Sequence, residues 1–232
     1  VIYEGRTPDD ILRKAEENLE ADPEELLDTL YSEHFLQSIG HTKDDAMSIF
    51  IPNTYEVYWN ISPKNFLIKM HQEAQKFWKK NDRKSLAEKK GLTPNQVYTL
   101  ASIVEKETNH APEKPIIAGV YLNRLKKGMR LQADPTVVFA KKAYSLQRVK
   151  FNDLQFVSPY NTYLNDGLPP GPISIASIES IDAVLKAEDH DYIFFCAKPG
   201  YAGQHAFAAT LSAHSQNARK FHNWMNEQKI LN

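Results

Sequence analysis

Four times in the first hundred residues a side chain able to cap a helix stands directly before proline: Thr7-Pro8, Asp22-Pro23, Ser62-Pro63 and Thr93-Pro94. A hydroxyl or carboxylate at the cap accepts an orphan amide proton of the first turn. Proline one position on loses nothing, because its nitrogen would have no partner there. Each pair therefore fixes a helix start. The apolar residues that follow agree, recurring three and four apart: Ile11, Leu12, Ala15 and Leu19; Leu26, Leu27 and Leu30; Phe66, Met70, Ala74, Phe77 and Trp78; Val97, Leu100, Ala101 and Val104. The first two starts predict two short helices over residues 1–40, and the third a long helix reaching about Lys90. Gln96, three residues after Thr93, completes a capping box for the fourth.

Between these helices, Ser48 to Trp59 is dense in aromatics with Pro52 inside it, which suits an edge strand or an extended binding segment. Beyond them, a helix is expected from Ile116 to Lys127 with Gly128 at its end. A polar, proline-rich connection follows from Arg130 to Gly171, and Leu168-Pro169-Pro170-Gly171-Pro172 within it can only be an ordered, extended loop. Ser177 to Lys186 returns to helical spacing. Tyr192 to Ala197 reads as a strand, with Gln204 to Thr210 its hairpin partner and Ser212 to Gln228 a closing helix. The class is α+β, helix-rich with a small antiparallel sheet. Residues 1–47 form a small acidic helical lobe and residues 48–232 the main domain.

The 232 residues allow one large or two modest units, and 42% hydrophobic with 25% charged residues is the balance of an ordinary globular protein. No apolar run approaches the roughly 18 residues that cross a bilayer. A single cysteine, Cys196, excludes an internal disulfide and a cysteine-based zinc cluster. The net charge of −1 hides a segregation: residues 1–61 carry 4 basic and 14 acidic residues, and residues 62–150 carry 19 and 7. A basic segment suits an anionic polymer. The basic residues are not interleaved with aromatics and no nucleic-acid motif occurs, so nucleic acid is not expected as a partner. Histidines at metal-binding helical spacing, a phosphate-cradling glycine loop and a G-x-S-x-G elbow are all missing from the sequence.

Chemistry gathers at Ile103-Val104-Glu105-Lys106-Glu107-Thr108, two carboxylates on the last turn of a helix whose other side is core. At about 100° per residue Glu105 and Glu107 border the apolar stripe on opposite sides, and Lys106 points away from it. Half-burial near a helix C-terminus should raise a carboxyl pKa and suit it to general-acid work near neutral pH. Helical geometry alone does not separate the two. In the connection, Gln132, Asp134, Tyr160, Asn161, Thr162 and Tyr163 offer the amides, hydroxyls and rings that grip sugars.

Taken in order, the segments from Ile103 to Thr108, Asn123 to Leu125, Met129 to Val137, Tyr160 to Tyr163, Gly167 to Ile173 and His205 to Phe207 resemble the signatures of the YceG-like endolytic murein transglycosylases, the MltG family. Phe50 to Tyr55 is similar to that family's preceding segment, so the resemblance covers about residues 48–220. It implies a lyase that cuts the bond between N-acetylmuramic acid and N-acetylglucosamine in nascent peptidoglycan strands, leaving 1,6-anhydro ends and so setting strand length. It also implies a catalytic region outside the cytoplasm, held at the inner membrane by an N-terminal helix that this chain lacks. Residues 1–47 would be the tail of a LysM-like region. The family position falls on Glu105 as catalytic acid, with Glu107, Gln132, Asp134, Tyr160, Asn161, Thr162, Tyr163 and His205 as substrate-binding candidates. No metal or cofactor is implied. The partners are glycan strands, with peptidoglycan synthases as candidate neighbours. A hydrolytic muramidase and a catalytically silent glycan-binding scaffold are the competing readings.

Overall fold

The computed structural model describes residues 1–2, 5–146 and 148–228. The acidic lobe consists of α1 (Pro8–Glu16), α2 (Pro23–Tyr31) and α3 (Glu33–Ile39). Thr7 and Asp10 close a reciprocal capping box on α1, and Asp22 accepts from the Glu24 amide at the start of α2. The third helix corrects the expectation of two: Ser32 ends α2 and also caps α3, accepting from the Phe35 amide, so no loop separates them. Leu12, Leu26 and Leu30 are fully buried, and the lobe belongs to the same continuous core as the rest of the chain.

A short 3-10 turn, Ala46–Ile49, leads into extended chain in which Phe50 and Ile51 are buried. The edge strand foreseen here reduces to one antiparallel bridge between Ile2 and Asn53. The long helix expected to Lys90 is instead two, α4 (Pro63–Lys79) and α5 (Arg83–Lys89). Asn81 and Asp82 break it at φ +57° and +54°. Tertiary forces account for the break. The buried Arg83 guanidinium forks onto Asp182 at 2.8 and 3.0 Å and lies 4.0 Å from the centre of the Phe77 ring, a geometry that an unbroken helix could not offer.

The central element is α6 (Pro94–Glu107), with the predicted capping box between Thr93 and Gln96. It packs against α7 (Lys114–Lys126), which Pro115 opens, and whose exit is turned by Gly128 at φ +64°. Within the connection lies an unforeseen helix, α8 (Asp134–Ala140), in which Asp134 is the first helical residue. The proline loop then passes over α6, bending at Leu168, Pro170, Gly171, Ile173 and Ser174 rather than running fully extended, and is held by that helix's buried hydroxyls. Ser102 Oγ accepts from the Ile173 amide at 3.0 Å, and Tyr98 Oη accepts from the Ala176 amide at 3.3 Å while donating to the Phe50 carbonyl at 2.8 Å. Pairing these groups removes the cost of burying them. Next come α9 (Ile178–Leu185), capped by Ser177, and the hairpin β1 (Phe194–Ala197) and β2 (His205–Ala208), paired Phe195 to Phe207. The final helix α10 (Leu211–Glu227) rests on the hairpin. Cys196, on β1, is half-buried, and burial pushes its thiol pKa up.

Candidate active site

The last turn of α6 points its two glutamates into different surroundings. Glu105 turns toward α7 and α9. Its Oε2 accepts from Ser177 Oγ and Ser180 Oγ, each at 2.5 Å, and pairs at 3.3 Å with the buried ammonium of Lys114, which also reaches Glu179 at 2.9 Å. Burial alone would raise the Glu105 pKa, but the two hydroxyls and the ammonium outweigh it and hold the group below the ordinary glutamate value. Glu105 thus favours the carboxylate form and ties the end of α6 to two other helices.

Glu107 faces an open cleft of about 330 Å³. Burial raises its pKa, and the Tyr121 hydroxyl opposes this by donating to Oε1. Asp134 adds repulsion, and the net result is a carboxyl pushed up to about 7. Such a group is protonated in about half of the molecules at neutral pH and can give its proton away. The Tyr121 hydroxyl engages one oxygen and leaves Oε2 for the transferable proton. The same cleft is lined by Asp134, whose Oδ1 accepts from the Tyr163 hydroxyl at 2.6 Å. Burial, reinforced by that bond and by the charges of Asp134 and Glu107, drives the Tyr163 phenol pKa upward and keeps it a donor. Pro135, Val138, Phe139 and Ile173 give the cleft an apolar wall.

Of the other candidates, Gln132 is exposed just before Asp134 in a left-handed backbone at φ +50°, its amide donating to the Thr162 carbonyl at 3.1 Å. A non-glycine residue held there is strained, and such strain collects at functional positions. Asn161 and Thr162 do not reach the cleft as free groups. Asn161 is fully buried, its Nδ2 spent on the Leu154 and Phe156 carbonyls and its Oδ1 on the Tyr163 amide. Thr162 Oγ1 accepts from the Ala133 amide at 3.0 Å and meets Thr136 Oγ1 at 2.9 Å. Both shape the loop that presents Asp134 and Tyr163. Tyr160 reaches back to the lobe, its hydroxyl 3.4 Å from Asp44 Oδ1 and its ring against Phe139. His205 lies behind the site: Glu113 holds both its amide (2.9 Å) and its Nδ1 (2.8 Å), and its ring abuts Phe195, which in turn abuts Tyr121. Tyr121 itself carried no signal beyond its place in the apolar stripe of α7. Among the described residues, no group of three or more His, Cys, Asp or Glu side chains could hold a metal ion.

The sequence pattern of the YceG-like family matches residues 1–220. The chain belongs to the YceG-like family. The match takes in α1 to α3, so the acidic lobe falls within the family's own pattern. Relatives include the endolytic murein transglycosylase of Bacillus subtilis (strain 168), 40% identical over 145 residues, which are 62% of this chain and 39% of that protein. The endolytic murein transglycosylase of Streptococcus pneumoniae serotype 2 is 36% identical over 117 residues, 49% of this chain and 21% of its own length. The chain therefore spans well under half of these relatives. A crystal structure of a YceG-like protein from Listeria monocytogenes superposes with a TM-score of 0.77 at 30% identity, covering 93% of this chain and 74% of that one. The helix-rich α+β architecture is thus the family's own.

Proposed function

We propose that this YceG-like chain is an endolytic lytic transglycosylase of peptidoglycan, with Glu107 as its acid and base. The observation that carries the reading is Glu107 on the wall of an open cleft, its Oε1 held by the Tyr121 hydroxyl in surroundings that push the carboxyl pKa up to about 7. The resemblance places the acid at Glu105; supporting Glu107 instead are the hydroxyl and ammonium partners that favour the Glu105 carboxylate and the cleft lining, which includes Glu107 and not Glu105. The names of the relatives supply the substrate class.

Hydrolytic glycosidases generally need two carboxyl groups, whereas lytic cleavage needs one, because the substrate's own C6 hydroxyl replaces water. Glu107 gives its Oε2 proton to the glycosidic oxygen as the bond to C1 of N-acetylmuramic acid breaks. The resulting carboxylate then takes the C6 hydroxyl proton as O6 closes on C1, forming the 1,6-anhydro ring. The acid is regenerated and no water is consumed. Tyr121 steadies the carboxyl in both states. Asp134, held by Tyr163, supplies negative charge for the oxocarbenium-like transition state, and the exposed Gln132, two residues before it, hydrogen-bonds sugar hydroxyls.

Asp134 also sustains a second reading, a muramidase in which it activates water opposite Glu107. Mass analysis of the new ends made from uncrosslinked strands decides between them. Lytic cutting gives ends one water lighter than reducing ends. Reducing ends alone would overturn the proposal in favour of the muramidase, and unchanged strands would favour a binding scaffold. On the strength of the family resemblance we further propose an extracytoplasmic catalytic region tethered to the inner membrane by one N-terminal span, near the synthases that make its substrate. Among the described residues, no helix is long and apolar enough to cross a membrane.

A further inference from the structure

The cleft beside Glu107 is lined by more cations than sugar chemistry requires. Arg6, Lys106 and Arg148 stand on its wall with Glu107 and Asp134. Neutral pyranoses are recognised by hydroxyls, amides and aromatic faces. Guanidinium groups match carboxylates, which they grip through two parallel N–H bonds. Arg6 is also pre-set for that role. Its backbone amide is anchored on Asp10 Oδ2 at 2.9 Å, its Nη1 donates to the Tyr144 carbonyl at 3.3 Å, and its guanidinium lies 5.0 Å from the centre of the Tyr144 ring. One of five N–H donors is thereby spent and the others stay on a fork whose position is fixed from two sides. Arg148, four residues beyond Tyr144, is exposed at the same cleft.

We infer that Arg6 and Arg148 form a carboxylate-reading subsite beside Glu107, which selects glycan strands whose N-acetylmuramic acid units carry acidic stem peptides. The inference rests on the transglycosylase reading and deepens it. Arg6 comes from the acidic lobe, so the lobe contributes directly to the choice of substrate. The two arginines touch an anionic substituent rather than the breaking bond, so they set specificity and leave the proton chemistry to Glu107.

The test compares two substrates: uncrosslinked strands with native stems, and the same strands after their carboxyls are amidated with a carbodiimide and glycinamide. The parent protein should lose about tenfold in kcat/KM on amidation, the scale of one charge-assisted bond. The Arg6→Gln/Arg148→Gln protein should lose about tenfold on native strands and be nearly indifferent to amidation. Equal losses on both substrates, or no loss on native strands, would overturn the inference. If the double variant does not fold, exposed Arg148→Gln alone, with Arg148→Lys as the charge-retaining partner, carries the same comparison. If the parent cuts neither substrate, the transglycosylase reading fails. Co-sedimentation affinities of the same protein and strand combinations then judge the charge recognition by the same criteria.

Discussion

Two residues apart on one helical turn, Glu105 and Glu107 differ only in what the rest of the chain brings to them. Glu105 meets Ser177, Ser180 and Lys114, and its lowered pKa means that the folded state prefers the carboxylate. It therefore stabilises the fold above the ordinary glutamate pKa, and this contribution is lost as pH falls through the lowered value. Glu105→Gln should lower the melting temperature at pH 7 by about 3–6 °C, as expected for roughly 1–2 kcal/mol in a chain of this size. The gap from the parent should narrow in acid, and the folded variant should still cut glycan. Calorimetry at pH 7 and pH 3 checks the first point, and an end-group assay the second. A variant as stable as the parent but inactive would move the acid back to Glu105. Of its partners Lys114 is nine residues on, but Ser177 and Ser180 lie 72 and 75 residues downstream, so no pattern local to α6 could have separated the pair. Asn161 and Thr162 show the same limit: residues that grip sugars and residues that brace loops are of the same types, and burial alone tells them apart.

Among the elements, those with local signals were legible. The caps at Thr7, Asp22, Ser62 and Thr93 and the β1–β2 hairpin all follow from short-range chemistry. α3 was hidden because Ser32 serves two helices without a break, and α8 because Asp134 opens it as a helical residue with no side-chain cap. The break between α4 and α5 was illegible for another reason, since the Arg83 guanidinium beyond it pairs with Asp182, 99 residues away. That break holds Asn81 and Asp82 in left-handed backbone, which favours glycine. Asp82→Gly should accordingly raise stability by about 0.5–1 kcal/mol in urea unfolding, despite adding chain entropy to the unfolded state. A loss of that size would mean that the Asp82 side chain contributes more than its backbone strain costs.

The cleft exists only in the assembled molecule, with Arg6 from the lobe, Glu107 from α6, Asp134 from α8 and Ile173 from the proline loop. Lobe and proline loop meet at Gly171, where a Cβ would stand 1.8 Å from the Asp44 carbonyl oxygen. Backbone cannot yield there cheaply, so Gly171→Ala should cost about 1–3 kcal/mol and reduce cutting beyond the loss of folded protein, because the lobe is forced off the cleft. Full activity per folded molecule would show that the lobe is dispensable to the site. The most direct test of the account is the rate of anhydro-end formation on uncrosslinked strands as a function of pH, for the parent and for Glu107→Gln. Glu107 must be protonated to act and its pKa is raised to about 7. The parent rate should therefore fall about tenfold per pH unit above that value, and folded Glu107→Gln should be slower by at least about a hundredfold at and below about pH 7, with the gap closing as the parent rate falls. A Glu107→Gln protein that cuts at the parent rate, or a parent rate unchanged from pH 6 to about 9, would contradict it.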